Sequence, residues 1–126
     1  MIQTVSLVAL GGAIGASLRY LAGVAILRLI GQQAMPLGVI AVNIVGSFLM
    51  GVFVTAAAEK GLTHYAPFVM TGILGGFTTF SSFSLETITL FERGETGLAA
   101  LYVLLSVAVS IGALAFGMFL TKGLWA

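Results

Sequence analysis

The chain has no cysteine and no aspartate, a single histidine, and only 7% charged residues among its 126. Without cysteine, neither a disulfide framework nor a thiolate metal site can exist. The one histidine, His64, stands in a short turn between apolar segments. It has no second imidazole to share a metal, and with the one His in a turn and no Asp anywhere nothing resembles a nucleophile with its base, so catalysis is not expected. A formal net charge of +1 provides neither a basic patch for nucleic acid nor an acidic tail. Soluble domains carry roughly 25% charged residues. This chain is 60% hydrophobic with a mean hydropathy of +1.17, which marks an integral membrane protein whose partners lie in the lipid bilayer.

A hydrocarbon core about 30 Å thick takes roughly 20 apolar residues per helix, so the length allows about four spans and no soluble domain. The expected spans are 2–29, 37–58, 65–91 and 97–121, forming one integral membrane domain over 1–126. The apolar N-terminus lacks the positively charged stretch of a secretory signal and is expected to be a first span. Glycine, by contrast, is abundant at 17 residues, which suits helices packed backbone to backbone. Gly11, Gly12, Gly15 and Ala16 fall at helical spacing and form a flat strip for a neighbouring helix. Pro36 suits the first turn of the second span. Lys122 and Trp125 read as interfacial anchors, and His64 as an interfacial residue in contact with water.

The third span holds the most informative stretch, Gly75-Gly76-Phe77-Thr78-Thr79-Phe80-Ser81-Ser82-Phe83-Ser84. Adjacent glycines weaken a helix and β-branched threonines follow, so the backbone can leave helical geometry between 75 and 79. Carbonyls freed at membrane depth must be satisfied by protein, an ion or water, which is why broken helices mark ion sites. Phe77, Phe80 and Phe83 recur every three residues among serine and threonine. Such a stripe suits core packing; it also suits a small anion, which can rest against the positive edges of rings while hydroxyls supply the stronger contacts.

Two charged residues lie well inside spans, Arg19 and Glu86. A guanidinium there must snorkel to the interface or serve a function, such as an anion-attracting vestibule. Asn43 shares a face with Gly46 and Ser47, where its amide can bond a neighbouring helix or donate to an anion. In the fourth span Tyr102, Ser106 and Ser110 recur every four residues, a line of hydroxyls that stops at Leu114. Uncharged donors of this kind can bind an anion without trapping it, as conduction requires. Lys60 and Lys122 flank one side of the membrane and Arg28 and Arg93 the other. This balance sets no preferred orientation and permits an antiparallel homodimer. Four short helices also enclose too little volume for a pore of their own.

The run 75–84 closely resembles the signature of the Fluc (CrcB) fluoride channels. The resemblance extends to Gly12-Ala13-Ile14-Gly15-Ala16-Ser17-Leu18-Arg19-Tyr20 and to Val42-Asn43-Ile44-Val45-Gly46-Ser47-Phe48, and with the length and span count it covers essentially the whole chain. It implies an all-α membrane protein of the bacterial inner membrane, with four transmembrane helices per subunit and a break in the third. Two subunits would form a dual-topology antiparallel homodimer that exports fluoride passively through two pores. It also implies a structural sodium ion at the dimer interface, held by the backbone carbonyls of Gly75 and Thr78 from each subunit. The implied pore residues are Asn43, Phe80, Phe83, Ser81, Ser82, Tyr102, Ser106 and Ser110, with Arg19 in the vestibule. Phe77 is not carried over. Glu86, one turn beyond Phe83 and close to the pore-lining face, has no assigned role; a carboxylate there would repel fluoride unless neutralised. Two rival readings are a small multidrug or cation exporter and a non-conducting membrane assembly protein. The exporter would need an acid in the first span, where Arg19 stands instead.

Overall fold

A computed structural model describes residues 1–124, which excludes the expected anchor Trp125. Helix α1 (Ile2–Ile30) and helix α2 (Leu37–Lys60) are continuous. A 3-10 turn at Thr63–Tyr65 leads into a π-helical segment, Pro67–Leu74, and then a single α-turn, α3 (Gly75–Phe77). After an interruption the chain resumes as α4 (Phe80–Glu92), and α5 (Thr96–Leu124) completes it. Four segments are long and apolar enough to cross a membrane: Ile2–Ile30, Leu37–Lys60, Pro67–Glu92 and Thr96–Gly123. These segments begin and end within three residues of the expected bounds, and α2 runs two residues beyond its expected end.

Each helix stop has a local cause. Gly31, Gly61 and Gly94 adopt positive φ after α1, α2 and α4, a conformation open to glycine without a Cβ clash. Pro36 caps α2 and lies one residue outside it.

Glycine also decides the packing. α1 lies along the first half of the third span, and α2 along α5. A Cβ on Gly11 would meet the Phe68 carbonyl oxygen and one on Gly15 the Ile73 carbonyl oxygen, while one on Gly76 would lie 2.7 Å from the Gly12 oxygen. The strip expected on α1 is therefore a backbone-to-backbone seam, with Gly72 and Gly76 as its counterparts. α2 and α5 meet the same way, because a Cβ on Gly51 would strike the Leu114 oxygen and one on Gly117 the Phe48 oxygen.

The interruption of the third span lies at Thr78 (φ −89°, ψ 160°) and Thr79 (φ −153°, ψ 118°), both extended. It falls inside the expected range, but the glycine pair does not make it. Gly75 and Gly76 stay helical, and Gly76 is glycine because α1 leaves no room for a side chain.

Candidate functional site

The broken strand of backbone is held by side chains from two other helices. Asn43 on α2 takes both polar groups of Thr79: its Oδ1 accepts from the Thr79 N–H at 2.8 Å and its Nδ2 donates to the Thr79 carbonyl at 3.0 Å. An amide mimics a peptide unit, so Asn43 replaces the helical acceptor that the Thr79 N–H has lost and adds a second donor to its carbonyl. From α1, Arg19 Nε donates to the Gly76 carbonyl at 3.1 Å. Arg19 is half-buried and turns inward, toward the break, not outward to the interface.

Thr79 in turn starts α4. Its Oγ1 accepts from the Ser82 N–H at 3.1 Å, an N-cap that satisfies one of the donors every helix start leaves open. Thr78 Oγ1 donates back to the Leu74 carbonyl at 2.9 Å. These substitutions free particular carbonyls. In an unbroken helix the Thr79 N–H would serve Gly75 and the Ser82 N–H would serve Thr78. Here they go to Asn43 and to Thr79 Oγ1, so the oxygens of Gly75 and Thr78 lose their helical donors.

Beside the break lies a cleft of about 340 Å³, lined by Asn43, Ser47, Thr79, Phe80, Phe83, Ser106 and Ser110 among others. Phe80 is 77% exposed and Phe83 only 8%. Their ring centroids are 5.5 Å apart, and Phe83 continues to the ring of Tyr102 at 5.4 Å. The hydroxyls of Tyr102, Ser106 and Ser110 are buried and have no hydrogen-bond partner within the subunit. An unpaired buried hydroxyl costs roughly 1–3 kcal/mol, so three on one helix face need a reason. The line of hydroxyls expected on the fourth span is therefore present on α5, beside the two phenylalanines. It ends at Leu114, whose carbonyl oxygen abuts Gly51.

Other expected site residues fall elsewhere. Ser82 lines a second cavity of about 330 Å³ with Arg19, Tyr20, Gly23, Val42 and Thr79. Ser81 is exposed and its Oγ pairs with Thr79 Oγ1 at 3.2 Å. At roughly 100° per residue, Ser82 and Ser81 stand about 100° and 200° around α4 from Phe83, so one helix cannot aim all three into one cleft. Glu86 is not on the cleft either; it lines a separate cavity of about 210 Å³ with Gln33, Met35, Thr89 and Arg93, under the loop joining α1 and α2. Asn43 lines the cleft, but one of its two amide hydrogens is already given to Thr79. His64 is exposed and stacks on Tyr65, with ring centroids 4.2 Å apart. Among the described residues no group of three or more His, Asp or Glu gathers to hold a metal. Sequence reasoning allowed Asn43 a bond to a neighbouring helix without its partner and missed the bond of Arg19 to Gly76, because nothing in spacing tells which carbonyl faces which side chain.

The family described as "CrcB-like protein, Camphor Resistance (CrcB)" matches residues 6–118. The chain is 65% identical over 123 residues to the fluoride-specific ion channel FluC of Ruegeria sp. (strain TM1040), covering 98% of both chains. It is 56% identical over 124 residues to the FluC of Roseobacter denitrificans, again covering 98% of both. With the FluC of Agrobacterium fabrum the identity is 51% over 123 residues, covering 96% of this chain and 98% of that one. A membrane protein of four spans with a clamped break in the third, matched over nearly its whole length, belongs to the CrcB/FluC family of fluoride-specific ion channels and not among enzymes.

Proposed function

We propose that the chain forms an antiparallel, dual-topology homodimer that conducts fluoride passively out of the cell, with one pore along each subunit's cleft. The observation that carries this reading is the cleft itself. Two phenylalanine rings, an amide and buried hydroxyls with no partner stand together there, and no cation competes for the ion. Fluoride is the smallest and most strongly hydrated halide, so it needs closely spaced donors to replace its water. Ser106 Oγ, Ser110 Oγ, Tyr102 Oη and the remaining N–H of Asn43 would supply them, while the ring edges of Phe80 and Phe83 present partial positive charge. None of these groups carries a full charge, which keeps binding shallow enough for release. Phe80, largely exposed in the single subunit, would be covered by the second copy. Ser81 and Ser82 would serve the approach to the pore.

The family's sodium ion fits the residues present. A hard cation wants oxygen ligands, and the oxygens of Gly75 and Thr78 are among those deprived of helical donors; Gly75 is also exposed on the subunit's surface, where a partner could bring its own pair. When bound, such an ion would supply positive charge that neutralises those carbonyls and ties the two breaks together. Passive efflux serves a cell because hydrogen fluoride entering from acidic surroundings dissociates inside, and the trapped anion then leaves along the membrane potential.

The test is fluoride efflux from liposomes holding the purified dimer, read with a fluoride electrode, with chloride in parallel. Efflux that starts on adding a potassium ionophore, with chloride retained, is the expected result. Retention of fluoride by a verified dimer would overturn the assignment.

A further inference from the structure

We infer that Arg19 serves the channel through its Nε–H, as a positioning residue for the break in the third span, and not through its charge. A guanidinium inside a span is costly without a partner, and the partner here is specific: the Gly76 carbonyl, 3.1 Å from Nε. That carbonyl needs a donor. In an unbroken helix it would be the N–H of Phe80, but Thr78 and Thr79 are extended and Phe80 opens a new helix. Gly76 is also the point of close approach to α1, since a Cβ there would lie 2.7 Å from the Gly12 oxygen and 3.2 Å from the Ala16 nitrogen. The glycine seam thus delivers the carbonyl to Arg19, three residues along α1 from Ala16.

The consequence reaches the site. Arg19 pins the break from α1, and Asn43 pins it from α2 three residues later, at Thr79. With Gly76 withdrawn by Arg19, the carbonyls of Gly75 and Thr78 on either side are left for a cation, and the peptide planes that carry Phe80 into the cleft are oriented. The cavity on which Arg19 borders is lined largely by apolar groups, including Val24, Leu27, Val39 and Val42, a poor vestibule for attracting anions by charge.

Side-chain chemistry separates donor from charge. In glutamine Nε2 is bonded to Cδ, as Nε is in arginine, so Arg19→Gln keeps a donor the same number of bonds from Cα and removes the charge. Arg19→Met has similar length with neither. Two readouts are made on the assembled dimer: amide hydrogen exchange of the stretch 74–84, and fluoride efflux from liposomes. Arg19→Gln is expected to stay within about threefold of the parent in both, and Arg19→Met to exchange and to lose efflux by about tenfold or more, the effect of one strong hydrogen bond. Gln and Met behaving alike, whether both impaired or both unimpaired, would overturn the inference. If Arg19→Met does not assemble, Arg19→Lys replaces it, with a methylene where Nε stood and the charge kept; it should fall about tenfold below Arg19→Gln, and parity with the parent would again overturn the inference. The efflux arm rests on the proposed function, whereas the exchange arm does not. A parent protein that passes no fluoride therefore refutes the function alone, and variants that do not differ in exchange refute the positioning role alone.

Discussion

Replacing Asn43 with alanine tests how the break is held. The amide makes two hydrogen bonds to one residue, accepting at 2.8 Å from the Thr79 N–H and donating at 3.0 Å to its carbonyl. Truncation leaves a backbone donor unpaired at a half-buried site, which costs about 1–3 kcal/mol, and forfeits a second bond worth about 1 kcal/mol. The total is about 2–4 kcal/mol, falling on a local opening and not on the whole fold, since the glycine seams do not involve Asn43. At 1.4 kcal/mol per tenfold, the Thr79 amide should exchange with solvent roughly 30- to 700-fold faster. Amide exchange of the purified protein in detergent, read on peptides that cover 77–83, measures this directly. Peptides within α2 and α5 away from the break serve as the internal control. Asn43→Asp should fall between parent and alanine, because a carboxylate still accepts from the Thr79 N–H but faces the Thr79 carbonyl with like charge. Unchanged exchange in Asn43→Ala would refute the clamp, and with it the account of why the backbone holds an extended pair at membrane depth.

Other consequences follow from the same geometry. Gly15→Ala should abolish the folded subunit, because its Cβ would run into the Ile73 oxygen and lie 2.8 Å from the Phe77 nitrogen, whereas Gly12→Ala has open space within the subunit and should be far milder; yield after gel filtration compares them. Tyr102→Phe removes a buried hydroxyl with no partner in the subunit, so thermal stability should hold or rise by about 1 kcal/mol while fluoride efflux falls; lost stability would mean that the hydroxyl is bonded after all. Phe80→Ile and Phe83→Ile should keep the dimer and lose most of the efflux, since an aliphatic side chain has no positive edge, and retained efflux would reassign the rings to packing.

The legible and illegible parts of the sequence divide along physical lines. Hydropathy and length place the spans because lipid demands about 20 apolar residues whatever the neighbours. The hydroxyl line of Tyr102, Ser106 and Ser110 was legible because four-residue spacing keeps side chains on one helix face. The break was legible in position and misread in cause. Gly75 and Gly76 suggested flexibility, yet Gly76 supplies a close approach to Gly12, and the residues that leave the helix are the extended Thr78 and Thr79. Three-dimensional pairing was not legible at all. Whether Arg19 reaches water or Gly76, and whether Asn43 meets an anion or Thr79, depends on how α1 and α2 rotate against the third span. Glu86 shows the limit of reading by proximity: one turn from Phe83 and two from Phe80, the helix has rotated about 120° from the latter, enough to place it in another cavity.

In the proposed function, two phenylalanines, an amide and unpaired hydroxyls make a path for fluoride alone. Its most direct test is the current through a planar bilayer holding the purified dimer, with a tenfold fluoride gradient and chloride replacing fluoride on the dilute side. The expected reversal potential is near the fluoride value, about 59 mV, unmoved by the chloride. A reversal potential near zero, or no current from intact dimer, would contradict it.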